Sequence, residues 1–185
     1  MGHLAGKEFL YRKLGKKIDG LMVRAPWNES LRAILKELYT EEEADLVVRM
    51  PYRLSSFNRV KKITGIESAK LQTLLEGMCG KGLMMDLSVR GKYYYTPSPF
   101  VIGIFEFTMM RTGGNLNMKE WAKLFSEYMG DFMAANNPGG SRVSILRALP
   151  HEGTVAEEDF VEVLDYEKAS RIVEEAARFA LGLCS

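Results

Sequence analysis

Few side chains in this chain could do chemistry, and their spacing limits what that chemistry could be. Cys79 and Cys184 are the only cysteines, and His3 and His151 the only histidines. A closed zinc or iron–sulfur site needs about four converging ligands, so these residues do not supply one by themselves. The two histidines lie too far apart in sequence to argue for a metal pair, and exposed or capping roles account for them. Cys79, beside Gly80, reads as a small packed side chain. Asn137-Pro138-Gly139-Gly140-Ser141-Arg142 has the composition of an anion-binding nest, but no phosphate-loop lysine follows it, and a loop is the simpler reading. The acid pairs Glu157-Glu158 and Glu174-Glu175 lack the apolar surroundings that a proton-donating carboxyl needs.

Nucleic-acid binding is the next chemistry to weigh. Along 67–80, Leu71, Leu74, Leu75 and Met78 form an inward stripe, which turns Ala69, Thr73 and Glu76 outward and places Lys70 and Gln72 on the shoulders. Gln72 has the donors and acceptors to read adenine and Lys70 the charge to meet a phosphate, while Glu76 would repel the backbone. Arg90 and Lys92, at a turn downstream, add cations, with Arg53, Arg59, Lys61 and Lys62 close by in sequence. A DNA-binding site would therefore consist of Lys70, Gln72, Thr73, Arg90 and Lys92. The competing account, an ordinary solvated surface on a module that docks to protein, is favoured because the helix face itself is hardly basic. The rings of Tyr93-Tyr94-Tyr95 could stack on bases, but strand alternation makes one-sided packing the safer account. Met84-Met85 and Met109-Met110 read as adaptable packing.

Several elements must position these residues. Asn28 is a fitting N-cap for a helix with Leu31, Ile34, Leu35 and Leu38 on one stripe. Thr40 and Glu43 form a capping box for a second helix through Ala44, Val47 and Val48, which Pro51 ends. Ser55 or Ser56 caps a short helix through Phe57, Val60 and Ile63, stopped at Thr64-Gly65, and a longer helix follows from about 67 to 80. Leu83, Met85 and Leu87 then alternate with Met84, Asp86 and Ser88, and Val89-Arg90-Gly91-Lys92 turns the chain back into Tyr93–Thr96. Short helix, turn, longer helix and hairpin together predict a winged helix-turn-helix. Ser98-Pro99 favours a helix over 100–111 despite its β-branched content, with a strand as the open alternative. Asn117 and Glu120 predict a further helix carrying Trp121, Leu124, Phe125, Tyr128 and Phe132. Val143–Leu146 and Val161–Leu164 read as short strands, and Asp165 as the cap of a last helix with Ile172, Val173, Ala176, Ala177 and Ala180 inward.

The totals fit this inventory. The 185 residues are 46% hydrophobic and carry a formal net charge of +1, enough for a core and too little charge for non-specific attraction to phosphate by the whole molecule. Bases gather at the start (Lys7, Arg12, Lys13, Lys16, Lys17) and acids near the end (Glu157, Glu158, Asp159, Glu162, Asp165), an asymmetry that solvated faces explain. The start lacks a continuous apolar stretch, and the longest apolar run, Phe100–Met110, contains Glu106 and is too short to span a bilayer. Gly6 stands where a myristoylation signal needs a hydroxyl residue. Few cysteines and no leader predict a cytoplasmic protein without membrane contact.

The segments Tyr11–Gly20 (YRKLGKKIDG), Arg24–Glu29 (RAPWNE), Ser98–Arg111 (SPFVIGIFEFTMMR), Val161–Lys168 (VEVLDYEK) and Ala180–Ser185 (ALGLCS) resemble the N-terminal region of bacterial and archaeal ferredoxin-type proteins of the four-iron–four-sulfur class. In that family a cysteine-rich part follows, opening near a Cys-x-Cys-Arg sequence and continuing into cluster-binding motifs. The resemblance implies that Cys184 matches the start of that region, as the one candidate metal ligand here. It also implies that the chain binds no cofactor alone and that iron–sulfur clusters belong to a longer gene product.

These readings define an α+β, mainly α fold, with a winged-helix unit and basic N-terminal arm over 1–97 and a helical second unit with a few short strands over 98–185. The leading function is a non-catalytic docking or regulatory module of a ferredoxin-like electron-transfer protein, partnered by the missing cysteine-rich domain or a redox protein. The alternative is a winged-helix DNA-binding regulator, redox-coupled or not. An enzyme ranks third. A homodimer is compatible with either, and no sequence feature fixes its symmetry.

Overall fold

Capping chemistry sets most helix starts. A computed structural model describes residues 2–110, 117–137 and 166–177. The first helix, α1 (Gly2–Asp19), puts Tyr11, Leu14 and Ile18 into the core. Asn28 caps α2 (Glu29–Leu38) by accepting the Leu31 N–H at 2.8 Å, and Leu31, Ile34, Leu35 and Leu38 are buried as their spacing requires. The Thr40–Glu43 capping box starts α3 (Glu41–Arg49) with both reciprocal bonds made. Glu43 is itself buried, and its carboxylate also accepts Lys81 Nζ at 2.8 and 3.0 Å, which ties α3 to the end of the helix over Ser68–Lys81.

The centre of the chain runs β1 (Ser55–Ser56), α4 (Phe57–Thr64), α5 (Ser68–Lys81), β2 (Met84–Val89) and β3 (Lys92–Pro97). Ser56 caps α4 by accepting the Arg59 N–H, and Gly65, in the left-handed region at φ 66°, ends it. Glu67 caps α5, and Gly82 at φ 76° closes it, with Phe107 so near that a Cβ at residue 82 would run into that side chain. The three strands form one antiparallel sheet in the order β1-β3-β2. Ser55 pairs with Tyr95, Met84 with Pro97 and Val89 with Lys92, and the Arg90–Gly91 turn has positive φ at both residues, as a two-residue hairpin demands.

After the sheet, Phe100–Ile104 makes a π-type turn with non-helical backbone at Val101, Ile102 and Gly103, and α6 occupies Phe105–Met110. The helix expected from residue 100 therefore begins only at Phe105. The β-branched pair Val101-Ile102 followed by a glycine disfavours helix strongly enough to override the proline signal. Asn117 caps α7 (Met118–Asn136) by accepting the Glu120 N–H at 3.5 Å. Its stripe of Trp121, Phe125, Tyr128 and Phe132 is buried, and Leu124 is half-buried against it.

Helix α7 lies on α2, so the core runs continuously across residue 97. Phe100 is the keystone of the contact, with ring centroids 4.8 Å from Tyr128, 5.5 Å from Phe132 and 5.9 Å from Phe125. Polar clasps flank it. Tyr128 donates to the Pro26 carbonyl at 3.0 Å, Asn28 to Asp131 at 2.6 Å, and Asn136 to the Arg24 carbonyl at 2.8 Å.

Three expected faces turn out otherwise. Ile63 is 46% exposed, because the short α4 buries Val60 and Thr64 instead. In β2 the apolar alternation does not mark an inner face: Met84 is buried, Met85 half-buried and Leu87 exposed, since the hairpin projects beyond the helices that could cover it. In α8 (Tyr166–Glu175), Ile172 and Val173 are 56% and 57% exposed, and the helix buries no residue. Ala177, like Ala176, is exposed as well. The expected strands at 143–146 and 161–164, the cap Asp165 and Ala180 lie outside the described residues. The described residues are mainly helical with one small antiparallel sheet. Among the described residues no helix is long and apolar enough to cross a membrane.

Candidate functional site

The sequence places five residues at a would-be nucleic-acid surface, and local geometry decides what each is free to do. Lys70, Gln72 and Thr73 are exposed on α5 as the inward stripe of Leu71, Leu75 and Met78 dictates. Each is engaged within the chain. Lys70 Nζ bonds Glu42 of α3 at 2.6 Å, Gln72 donates to Glu76 at 2.5 Å one helical turn on, and the Thr73 hydroxyl donates to the Ala69 carbonyl at 3.1 Å. The cap carboxylate of Glu67 stands at the same end of the helix. Its hydrogen bonds from the Ala69 and Lys70 amides hold it below the usual carboxylate range, so it stays anionic.

Arg90 and Lys92 sit together at the hairpin tip, exposed, about the turn where the backbone reverses. No ion pair among the described residues involves either of them, or Arg53 or Arg59. The structure thus separates the five residues into a neutralised set on α5 and a cationic set at the tip.

Two surface depressions flank this region. One, of about 310 Å³, lies between α3 and the start of α5 and is lined by Glu42, Asp45, Arg49, Glu67 and Lys70. Four of its charges are already paired, Lys70 with Glu42 and Arg49 with Asp45, and the carboxylate of Glu67 is taken up by the α5 cap. The other, of about 250 Å³, is apolar and lies at the base of the sheet, lined by Leu21, Met22, Tyr52, Met85 and Pro99. Met22 and Tyr52 are well exposed there.

Beside that apolar depression lies the least expected group in the molecule. Lys17 is buried, donates to the Met50 carbonyl, and holds its ammonium 3.6 Å from the centroid of the Tyr52 ring. Burial pushes its pKa down. Sequence reasoning placed Lys17 in a basic arm. The available signal was its position one residue from Ile18 and three from Leu14, on the edge of the buried stripe of α1. Glu42 was missed too, and nothing local marks a partner 28 residues before Lys70.

Among the described residues no group of three or more His, Cys, Asp or Glu side chains could hold a metal ion. Cys79 is half-buried and packs against the core. Cys184, His151 and the Asn137–Arg142 loop beyond its first residue lie outside the described residues. The chain matches no family model, no curated protein and no solved structure.

Proposed function

We propose that the chain is a non-catalytic docking module of an iron–sulfur electron-transfer protein, built around a winged helix-turn-helix. The winged-helix reading is supported by the element order α3, β1, α4, α5, β2, β3 and the sheet order β1-β3-β2, with α5 leading directly into the hairpin. The iron–sulfur part rests on the sequence resemblance alone. On that reading the partner is the cysteine-rich domain of the longer gene product, or a redox protein in its place, and the clusters reside there.

One observation carries docking over nucleic-acid reading: the outer face of α5 spends its polar groups inside the chain. A duplex would have to displace Lys70 from Glu42 and Gln72 from Glu76 and then meet three carboxylates, those of Glu42, Glu67 and Glu76. On the sheet side, Met22, Tyr52 and Leu87 stay exposed, an apolar surface of the sort that meets protein.

The second reading, a winged-helix DNA-binding regulator, is favoured by the unpaired cations Arg90 and Lys92 at the tip. Fluorescence anisotropy with a labelled duplex at low salt separates the two. Docking predicts no saturable, salt-sensitive binding. Binding that weakens in Arg90→Gln/Lys92→Gln, with a salt slope reduced by roughly 1.8 for two lost phosphate contacts, would install the DNA reading instead. The partner is tested in the gene product continued past Ser185: a shared rotational correlation time for the two parts is expected, and independent tumbling counts against docking.

A further inference from the structure

Among the described residues the sheet ends on an open strand: in the order β1-β3-β2, β3 has a partner on each side, whereas β2 pairs there with β3 alone. A two-residue turn closes the ladder at Val89–Lys92, and bonded and non-bonded pairs alternate from there. Asp86 and Ser88 consequently direct their N–H and C=O groups away from β3. Edge strands are commonly blunted by charged residues, lysine above all, by proline or by a bulge. The strand Met-Met-Asp-Leu-Ser-Val carries one charge, Asp86, and no proline, and its register with β3 is unbroken from Met84 to Val89. Leu87 and Val89 are 51% and 43% exposed on one face of it.

This edge is complementary to itself. With a second copy laid antiparallel so that Ser88 faces Ser88 of the partner subunit, Leu87 faces the partner's Val89, and Asp86 lies beside the partner's Arg90, the turn residue one position past the end of the strand. The two-fold axis makes each contact twice. Opposite charges and apolar side chains directly across a ladder attract, and like charges repel. Centring the pair on Asp86 would set two carboxylates together, and centring it on Leu87 would leave Arg90 without its acid. Charge therefore selects one register, and no ion pair within the described residues competes for Asp86 or Arg90.

We propose that two copies of this chain associate through antiparallel β2–β2 pairing centred on Ser88, with reciprocal Asp86–Arg90 contacts. The inference stands apart from the function proposed above, since neither an iron–sulfur partner nor a duplex enters it. Sedimentation velocity of the full chain across the micromolar range is expected to show a monomer–dimer equilibrium. Asp86→Arg and Arg90→Asp each replace two attractive contacts by two repulsive ones and are expected to weaken it roughly tenfold or more. The double swap Asp86→Arg/Arg90→Asp is expected to restore it, which a merely destabilised fold would not do. Ser88→Cys gives a second readout that needs no charge change: mild oxidation should yield a covalent dimer, because opposed residues on an antiparallel ladder fall within disulfide reach. The unsubstituted chain is the control for the native cysteines. A monomer throughout, a double swap as weak as the single variants, or Ser88→Cys that crosslinks no more than the control overturns the proposal. Slow amide exchange at Asp86 and Ser88 in a monomer would show the edge covered by another strand and overturns it equally.

Discussion

Glu8 shows how much one half-buried side chain can concentrate. It accepts Arg32 Nε at 2.5 Å and Arg32 Nη2 at 3.1 Å, and Lys36 Nζ at 2.7 Å, so two cations of α2 converge on one carboxylate of α1. The Arg32 hydrogen bond, followed by that of Lys36, draws its pKa from the ordinary 4.5 down to about 2. A depressed carboxyl binds its proton less well in the folded chain than in the unfolded one. Its stabilising contribution is therefore complete above about 4.5 and is lost as pH falls toward about 2. Thermal melts across that window should show a falling midpoint, and Glu8→Gln should flatten the fall. Equal slopes in the two proteins would mean that the α1–α2 contact does not depend on this charge.

At the scale of elements, the join between the sheet and α7 depends on Phe100. Its ring is fully buried among Phe125, Tyr128 and Phe132, so Phe100→Ala removes both the burial and the ring contacts and leaves a cavity. The expected loss is about 3–5 kcal/mol in chemical denaturation, with a weakened near-ultraviolet signal from the aromatic cluster. A loss below about 1 kcal/mol would show that α7 is held mainly by its polar clasps. The elements that were legible in the sequence are those whose signals are local. Asn28, the Thr40–Glu43 box and Ser56 start helices where their side chains can reach the next turn's amides, and Arg90-Gly91 turns the hairpin through its own backbone preferences. What failed to show has two causes. At Val101-Ile102-Gly103 one local signal, a β-branched pair with a glycine, outweighs the helix that Pro99 invites, and elsewhere the outcome depends on distant partners. Leu87 stays exposed although it alternates like a core residue, because alternation describes the strand and says nothing of whether a layer lies above it. The candidate site follows the same rule: exposure of Lys70, Gln72 and Thr73 could be read from helical spacing, whereas their engagement with Glu42, Glu76 and Ala69 could be read in part only, through the i,i+4 pairs.

At the scale of the whole molecule, near-zero net charge is arranged as interlocking pairs. Lys7 meets Glu41, Lys70 meets Glu42 and Lys81 meets Glu43, so successive carboxylates at the start of α3 hold α1 and both ends of α5. Among the cations outside these pairs, Arg90 and Lys92 sit together at the hairpin tip. Lys17 has the opposite fate, closed beneath Tyr52 while its neighbour Lys16 faces water. Adjacent amines in such unequal surroundings form an internal clock for acylation. Under native conditions an amine-reactive ester should tag Lys16 at once and Lys17 orders of magnitude more slowly, the lag measuring how rarely α1 lifts away from the Met50–Tyr52 segment. Denaturant should erase the difference. Comparable tagging of the two in the native chain would mean that this helix opens independently of the core it covers.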